Sequence, residues 1–309
     1  MVSFYVTAAQ MQRAITGFPL TPLLGVSGHV AHSVAIGDTS IQLGVGNETL
    51  DTTLDIGKQI TLFDGATSEQ LQCIGPINVA TSLVPIQPAQ YAHSVNTEYC
   101  TDGPGGSLAD VLARGSAKVE NYCRQSLLLQ PYTEVQHRRW SNNDIRRDGG
   151  LKIAPLYWPV QSVVLWSLQY DGVLSSAFPI DVTQLVLNSA TSSVLLPYLA
   201  LMQSLILYGD SDIGMSGMTT FGSGRGFLST MTYKAGYAPN ALPPDVEDAA
   251  ILLSGIELAR ATNNLGASEI TLGKRKVVFR GSTDFSGISQ LQKEAESQLA
   301  SYQKRSHVR

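Results

Sequence analysis

The chain has 309 residues, which is enough for two domains that each bury a core of their own. Charged residues make up only 15% of it and the net charge is −4, which argues against a general nucleic-acid-binding protein. The most apolar stretch, residues 194–208, is shorter than the roughly 20 residues that a bilayer span requires and contains Pro197, so buried strands or a contact surface are expected there.

The N-terminal third of the chain is rich in strand patterns. The first 25 residues lack the charged start and continuous apolar core of a signal peptide, so none is expected. Alternating residues predict strands on both sides of a Gly37-Asp38 turn, and Asp64-Gly65 is a strong turn signal. The predicted strands are residues 33–36, 39–43, 60–63, 69–74 and 82–86. We expect an all-β domain of sandwich or barrel type over residues 25–100; the alternative is that these strands extend the main sheet.

A helix and a second strand-rich segment follow. Residues 101–106 (TDGPGG) are predicted to form a linker. A helix is predicted from about residue 107 to residue 130, because Ser107 followed by Asp110 is typical of a capping box and apolar residues recur on one face. Pro131 is expected to stop this helix and to begin the strand-rich segment. That segment includes residues 158–164 (WPVQSVV), which lead to a predicted turn at residues 170–172 (YDG).

Two helices are predicted in the last quarter. A short strand is expected to end at residues 235–237, and Pro244 to open a helix over residues 244–263, because a proline loses nothing in the first helical turn. The predicted core and ring-forming residues of this helix are Val246, Ala250, Leu253 and Ile256. The last helix is predicted over residues 286–303. Its apolar stripe consists of Ile288, Leu291, Ala295, Leu299 and Tyr302.

The signatures of catalysis and metal binding are incomplete. His29 and His32 lie three apart and His93 lies elsewhere, but no Cys, Glu or Asp stands at a supporting metal spacing. The glycine-rich run at residues 222–226 lacks the Lys and Ser/Thr of a phosphate loop, and residues 210–214 (DSDIG) lack the downstream Glu of a calcium loop. Cys73, Cys100 and Cys123 have no paired spacing and indicate buried thiols made in a reducing cytosol. We therefore predict no catalytic residue, no cofactor and no metal.

Charge is distributed unevenly along the chain. Residues 1–130 carry a net charge of −5, residues 131–273 carry −4 and residues 274–309 carry +5. The basic end predicts docking to an acidic protein surface or contact with DNA phosphates, and the alternative is a solvated, frayed terminus. A second basic run, Arg138-Arg139 and Arg146-Arg147, flanks Trp140; turn residues around it favour an exposed hairpin tip over a nucleic-acid site.

The order of these motifs resembles the head–tail connector (adaptor) proteins of tailed bacteriophages. The resemblance covers residues 107–309: helix, strands, the Gly236-Tyr237 loop, the Pro244 helix and the C-terminal helix. Residues 5–15 (YVTAAQMQRAI) are similar to the short opening helix of that family. Residues 25–100 resemble a β-module inserted in various phage structural proteins, with landmarks at Gly37 (GDTSI), Asp64 (DG…E) and Tyr91 (YAH).

The resemblance implies an α+β fold with a small helical core, projecting β-hairpins and an inserted β-domain. Residues 1–24 and 101–309 would form the connector core. It implies a structural virion protein, not an enzyme, that is made in the host cytoplasm and lies in the neck. Twelve copies would form a ring between the portal and the tail or stopper protein. Genomic DNA would pass through the lumen without sequence-specific binding, and no membrane would be involved.

In that family the C-terminal helix and tail reach the portal. The resemblance therefore predicts that the portal-docking residues are Leu291, Ala295, Leu299, Tyr302, Lys304, Arg305 and Arg309. Two other functions stay open. One is a β-rich adhesion or receptor-binding virion protein, in which the β-domain binds a glycan or a host surface. The other is a hydrolase whose site the sequence does not reveal.

Overall fold

The computed structural model divides the chain into two compact units. Unit 1 comprises Met1–Arg124 and Ala238–Gln303, and unit 2 comprises Gln125–Tyr237 and Lys304–Arg309. Helices and several sheets together give the predicted α+β fold class, which is confirmed. The structure describes residues 4–16, 25–46, 48–64, 67–103, 107–139, 150–170, 177–188, 193–197, 226–238, 241–263, 269–272, 275–278 and 286–304.

The β-rich part of unit 1 has two small antiparallel sheets around one core. Its strands are β2 (Ser27–His29), β3 (Ser40–Gln42), β4 (Gln59–Phe63), β5 (Glu69–Gln72), β6 (Leu83–Pro85) and β7 (Glu98–Thr101). One sheet has the order β2-β7-β4-β5, and β3 pairs with β6. Alternate side chains of β5 are buried, as expected for a strand with one face on a core. Both sheets contribute to a cluster that includes Ile41, Ile60, Leu62, Val84 and Tyr99.

One predicted strand in this part is wrong. In residues 33–36 only Val34 forms a bridge, to His93. The chain turns instead at Gly37, whose φ of 91° suits a glycine. The Asp38 carboxylate accepts a hydrogen bond from Ala35 N at 2.7 Å and closes the turn. The apolar alternation of residues 33–36 therefore belongs to a loop with one buried side chain, and Ile36 points to solvent.

The helical part of unit 1 contains four helices and a small sheet in the described residues. The elements are α1 (Ala8–Ala14), β1 (Ile15–Thr16), α2 (Leu108–Cys123), α3 (Pro244–Asn263), β15 (Glu269–Leu272), β16 (Arg275–Val278) and α4 (Ser286–Leu299), followed by a 3-10 turn (Ala300–Tyr302). Helix α3 packs against both α2 and α4. The sheet has the order β1-β15-β16. No helix in the described ranges combines the length and apolarity needed to cross a membrane.

The start of α2 agrees with the sequence prediction and its end does not. Ser107 Oγ accepts a hydrogen bond from Asp110 N, so the predicted cap is present. The helix ends at Cys123, seven residues before the predicted end, because Arg124 adopts a left-handed φ of 56°. The predicted stop, Pro131, lies in the second position of a strand.

Unit 2 is built around long antiparallel strands. They are β8 (Gln130–Arg139), β9 (Leu151–Ile153), β10 (Val160–Tyr170), β11 (Phe178–Pro179), β12 (Val186–Asn188), β13 (Ser193–Leu196) and β14 (Gly226–Ala235). One sheet has the order β11-β10-β14-β8 and another the order β12-β13-β9. Their shared core includes Leu151, Trp166, Leu168, Val194, Met231 and Tyr233. Trp166 Nε1 donates a hydrogen bond to Ser229 Oγ at 2.9 Å, so its polar atom is satisfied.

Several predicted features lie outside the described residues. The Asp171-Gly172 part of the turn, the apolar stretch after Pro197 and the Asp210–Asp212 segment are among them. So are Trp140 with Arg146-Arg147, and the glycine-rich run before Gly226. Arg138 and Arg139 are the last two residues of β8.

Candidate interaction surfaces

The apolar stripe of α4 is buried within its own chain. Ile288, Leu291, Ala295 and Leu299 are each at most 7% exposed, and α4 packs on α3 and also contacts α2. Three of the predicted docking residues therefore already have packing partners in unit 1. The docking role of the stripe stays a prediction, and any partner that used these side chains would first have to displace α4.

The residues after α4 are more accessible. Tyr302 and Lys304 are partly exposed, whereas Arg305 and Arg309 lie outside the described residues. Within unit 2, Lys304 Nζ donates a hydrogen bond to Tyr157 Oη at 3.0 Å and lies 4.1 Å from the centre of the Tyr157 ring. That ring stacks on Tyr132 with centroids 4.0 Å apart and an interplanar angle of 8°. Lys304 is thus held against a pair of aromatic rings, and its charge remains partly open to solvent.

The predicted core residues of α3 are buried. Val246, Ala250, Leu253 and Ile256 are at most 4% exposed and form part of the helix packing of unit 1. Their place in the core follows from helical periodicity, and their role in ring contacts stays a prediction.

Three charged side chains hold the polar side of the α2–α3 contact. Glu257 Oε1 accepts from Lys118 Nζ at 2.5 Å and from Arg260 Nη1 at 2.7 Å. Burial alone would raise the pKa of Glu257, but the hydrogen bonds and charges of Lys118 and Arg260 outweigh it and lower the pKa. The carboxylate is therefore ionised at neutral pH and links both helices.

The outer face of the unit 2 sheet carries exposed apolar side chains among threonines. Met231 and Tyr233 of β14 point into the core, so Thr230 and Thr232 point to the opposite side. Their cross-strand neighbours on that side are Thr133, Val135 and Leu165. We call these five residues the outer sheet face. Val135 is 61% exposed and Leu165 is 55% exposed.

Two landmarks of the β-module meet at a buried histidine. The His93 ring is fully buried, with Nε2 2.8 Å from Glu69 Oε1 and Nδ1 3.3 Å from Asp64 Oδ2. Glu69 also accepts hydrogen bonds from the backbone of Gln90 and Tyr91. The segments DG…E and YAH, which are separate in the sequence, are therefore joined through one imidazole. Both ring nitrogens are occupied, so this cluster holds the module together and offers no open coordination or proton-transfer position.

The other histidines and the cysteines that the sequence suggested as candidates do not come together in one site within the described residues. No set of three or more His, Cys, Asp or Glu side chains in the described ranges is arranged to hold a metal ion. His32 is exposed, whereas His29 is paired with Glu48. Cys73, Cys100 and Cys123 are buried free thiols, as predicted, and burial raises the pKa of each, to about 11 for Cys73 and about 12 for the other two.

No protein-family model matches the chain, and no curated protein matches it. Among solved structures, similarity was found to a chain described as "Neck of empty GTA particle computed with C6 symmetry". The two chains are 16% identical, the match covers 65% of this chain and 78% of that one, and the TM-score is 0.31. A TM-score of this size does not establish a shared fold.

Proposed function

We propose that this chain is a structural virion protein of the neck, a head–tail connector that forms a ring between the portal and the tail. The observation that carries the proposal is the order of its elements. An opening helix α1, the capped helix α2, the long strands β8, β10 and β14, the Gly236-Tyr237 loop, the proline-opened α3 and the final α4 follow one another as in the resembled family. The sequence motifs thus lie on elements of the type that the resemblance implies.

The backbone at Gly236 shows why the loop between β14 and α3 requires a glycine. Gly236 has a φ of 109°, and a Cβ added to it would lie 2.4 Å from Leu128 O. Tyr237 N donates to Leu127 O at 2.7 Å, and Leu129 N donates to Tyr237 O at 2.9 Å. Glycine therefore lets the strand that precedes α3 lie against the segment that follows α2. The Gly-Tyr motif is part of the resemblance, and in this chain it pairs the loop with the segment that follows α2.

The outer sheet face supports assembly with identical copies. A closed ring uses heterologous contacts, in which one surface of a subunit meets a different surface of the next. The outer sheet face exposes Val135 and Leu165, and the described residues of the β-module expose further apolar side chains at Ile36 and Ile56. We propose that these exposed side chains contribute to the two different surfaces of such a contact.

We propose that the residues after α4 make most of the contact with the portal. Because Leu291, Ala295 and Leu299 are buried, the accessible members of the predicted docking set in the described residues are Tyr302 and Lys304. We propose that these two, continued by Arg305 and Arg309, meet an acidic surface of the portal. The opposite side of the ring would meet the tail or stopper protein, and DNA would pass through the lumen without sequence-specific contacts.

The direct test uses the portal protein encoded by the same genome. The purified chain is mixed with portal assemblies, and the complexes are imaged by electron microscopy. We expect one additional ring at the narrow end of each portal. A matched sample that carries Lys304→Glu should show fewer occupied portals, mostly at low salt, because exposed charges are screened. Portals without added density would contradict the proposed function.

A further inference from the structure

The two accessible residues of the proposed docking set are already bonded to other residues of the same chain. Within unit 2, Lys304 Nζ donates a hydrogen bond to Tyr157 Oη at 3.0 Å and lies 4.1 Å from the centre of that ring. Within unit 1, Tyr302 Oη donates a longer hydrogen bond to Asp245 Oδ2 at 3.5 Å. Docking through these side chains therefore competes with contacts that the chain makes to itself, and the contact of Lys304 is the closer one.

The Tyr157 ring is held in place by neighbours within unit 2. It stacks on Tyr132 of β8, with ring centroids 4.0 Å apart and an interplanar angle of 8°. Tyr157 N donates a hydrogen bond to the Oη of the fully buried Tyr233 of β14 at 3.2 Å. Tyr132 Oη donates to Ser126 O at 3.4 Å. Because its neighbours fix the ring, Tyr157 presents a preformed surface to the ammonium group of Lys304.

The contact with Tyr157 leaves the charge of Lys304 uncompensated. Within the part of the chain that the structure describes, no Asp or Glu oxygen lies within ion-pairing distance of Lys304 Nζ. An exposed contact between an ammonium and an aromatic ring shifts an equilibrium only about 2- to 5-fold. A carboxylate of a partner offers the same ammonium a hydrogen bond between opposite charges, which is stronger than one to a neutral hydroxyl. An acidic partner can therefore replace Tyr157.

We propose that Lys304 and Tyr157 form an intramolecular latch, which is closed in the unassembled chain and opens when the chain end docks. The inference rests on the proposed docking of the chain end to an acidic surface of the portal. In the closed latch the ammonium group of Lys304 is engaged, and in the open latch it is free to meet carboxylates of the partner. The latch therefore lowers the affinity of the unassembled chain for acidic surfaces.

The latch itself is tested without the portal, by the rate at which Lys304 is acetylated. The full chain is treated briefly with an N-hydroxysuccinimide ester of acetic acid, and peptide mass spectrometry follows each lysine. Lys293, which is exposed on α4, is the internal reference. Tyr157→Leu removes both the ring and the hydroxyl and should raise the rate at Lys304 about 5-fold relative to Lys293.

A second variant keeps the test valid if Tyr157→Leu folds poorly, since Tyr157 is partly buried. Tyr157→Phe keeps the ring and its packing, removes only the hydrogen bond, and should raise the rate at Lys304 about 2-fold. The matched control is Tyr5→Phe, which removes a hydroxyl bonded to Glu120 at 3.2 Å in unit 1 and should leave the rate unchanged. Unchanged rates at Lys304 in both Tyr157 variants overturn the latch.

Portal binding then measures the effect of the latch on docking. In a binding assay on immobilised portal assemblies at low salt, Tyr157→Leu should bind about 5-fold and Tyr157→Phe about 2-fold more tightly than the native chain. Equal or weaker binding by variants whose Lys304 is acetylated faster overturns the control of docking. Absence of portal binding in the native chain and both variants contradicts the proposed function and the role of the latch in docking, while faster acetylation of Lys304 still supports the latch itself.

Discussion

Gly115 of α2 lies directly against Ser254 of α3. A Cβ built on Gly115 would be 2.1 Å from Ser254 Oγ, 2.7 Å from Ser254 Cα and 2.8 Å from Ser254 N. The two helices can approach this closely only because position 115 has no side chain. Ser116, the next residue of α2, accepts a hydrogen bond from Tyr5 N at 3.1 Å, so the same turn of α2 also holds the N-terminal segment. The close packing of α2 on α3 therefore requires a residue without a side chain at position 115.

Gly115→Ala should destabilise the protein by about 1–3 kcal/mol, because the added methyl group overlaps with backbone atoms of α3. Equilibrium unfolding in urea followed by circular dichroism measures the change. Ser254→Ala serves as the control: its hydroxyl is buried without a partner in the described residues, so its removal should be neutral or slightly stabilising. The double variant should stay close to Gly115→Ala, since the backbone overlap persists. If the double variant recovered the full stability of the native protein, the overlap would involve only the Ser254 side chain, and the predicted clash with the α3 backbone would be wrong.

Tyr233→Phe should destabilise the protein, and the loss should depend on pH. Tyr233 Oη donates to the buried Glu134 Oε2 at 2.6 Å, and its loss leaves that carboxylate with one donor fewer, at a cost of about 1–3 kcal/mol. Burial, together with the hydrogen bond and the charge of Glu134, raises the pKa of Tyr233 above its ordinary value of 10. The unfolded chain therefore loses this proton near pH 10 while the folded chain keeps it.

The stabilisation that comes from keeping Tyr233 protonated is therefore fully present below pH 10, and it declines as the pH rises further. Melting temperatures from pH 7 to pH 11 measure the effect. The native protein should lose stability above pH 10 more steeply than Tyr233→Phe, which lacks the ionisable group. Parallel curves for the two proteins would contradict the assignment. Tyr91→Phe is a suitable control, because Tyr91 is only half-buried.

Two C-terminal truncations should separate folding from portal docking. A cut after Gln298 removes Leu299, which is fully buried, and should cost about 2–5 kcal/mol of stability. A cut after Gln303 keeps α4 and its stripe but removes Lys304, Arg305 and Arg309. This second variant should keep a cooperative unfolding transition and lose most of its binding to the portal in a sedimentation assay. Portal binding at full strength after the second cut would identify the chain end as an ordinary frayed terminus.

The β-module should fold by itself if residues 25–100 form a separate domain. The structure points to an end slightly beyond residue 100. Thr101 belongs to β7, pairs with Ile60, and donates from Oγ1 to the buried Asp51 Oδ2 at 2.8 Å. A fragment of residues 25–103 should therefore melt at a higher temperature than one of residues 25–100, and both should give strand-type circular dichroism. If neither fragment unfolds cooperatively, these strands depend on the helices and the domain boundary is wrong.

Local signals in the sequence predicted where helices begin, and distant contacts decided where other elements end. The Ser107 cap and Pro244 act within one helical turn, so both helix starts were predictable. The end of α2 was not, because the buried leucines after it belong to a segment whose backbone pairs with Tyr237, more than a hundred residues further on. The strand predicted over residues 33–36 failed for a similar reason. Its one buried side chain is fixed by a bridge to His93.

The candidate surfaces show the same limit. Helical periodicity located the apolar stripe of α4, but it cannot say whether the stripe meets a partner protein or another helix of the same chain, and α3 covers it here.

Native mass spectrometry of the portal complex tests the central claim most directly. The measurement compares the mass of the purified portal assembly before and after addition of an excess of the chain. The connector account predicts a single dominant species that is heavier by twelve chains of 33.1 kDa each. A mass increase of one or two chains, a broad series of increments, or no increase at all would contradict it.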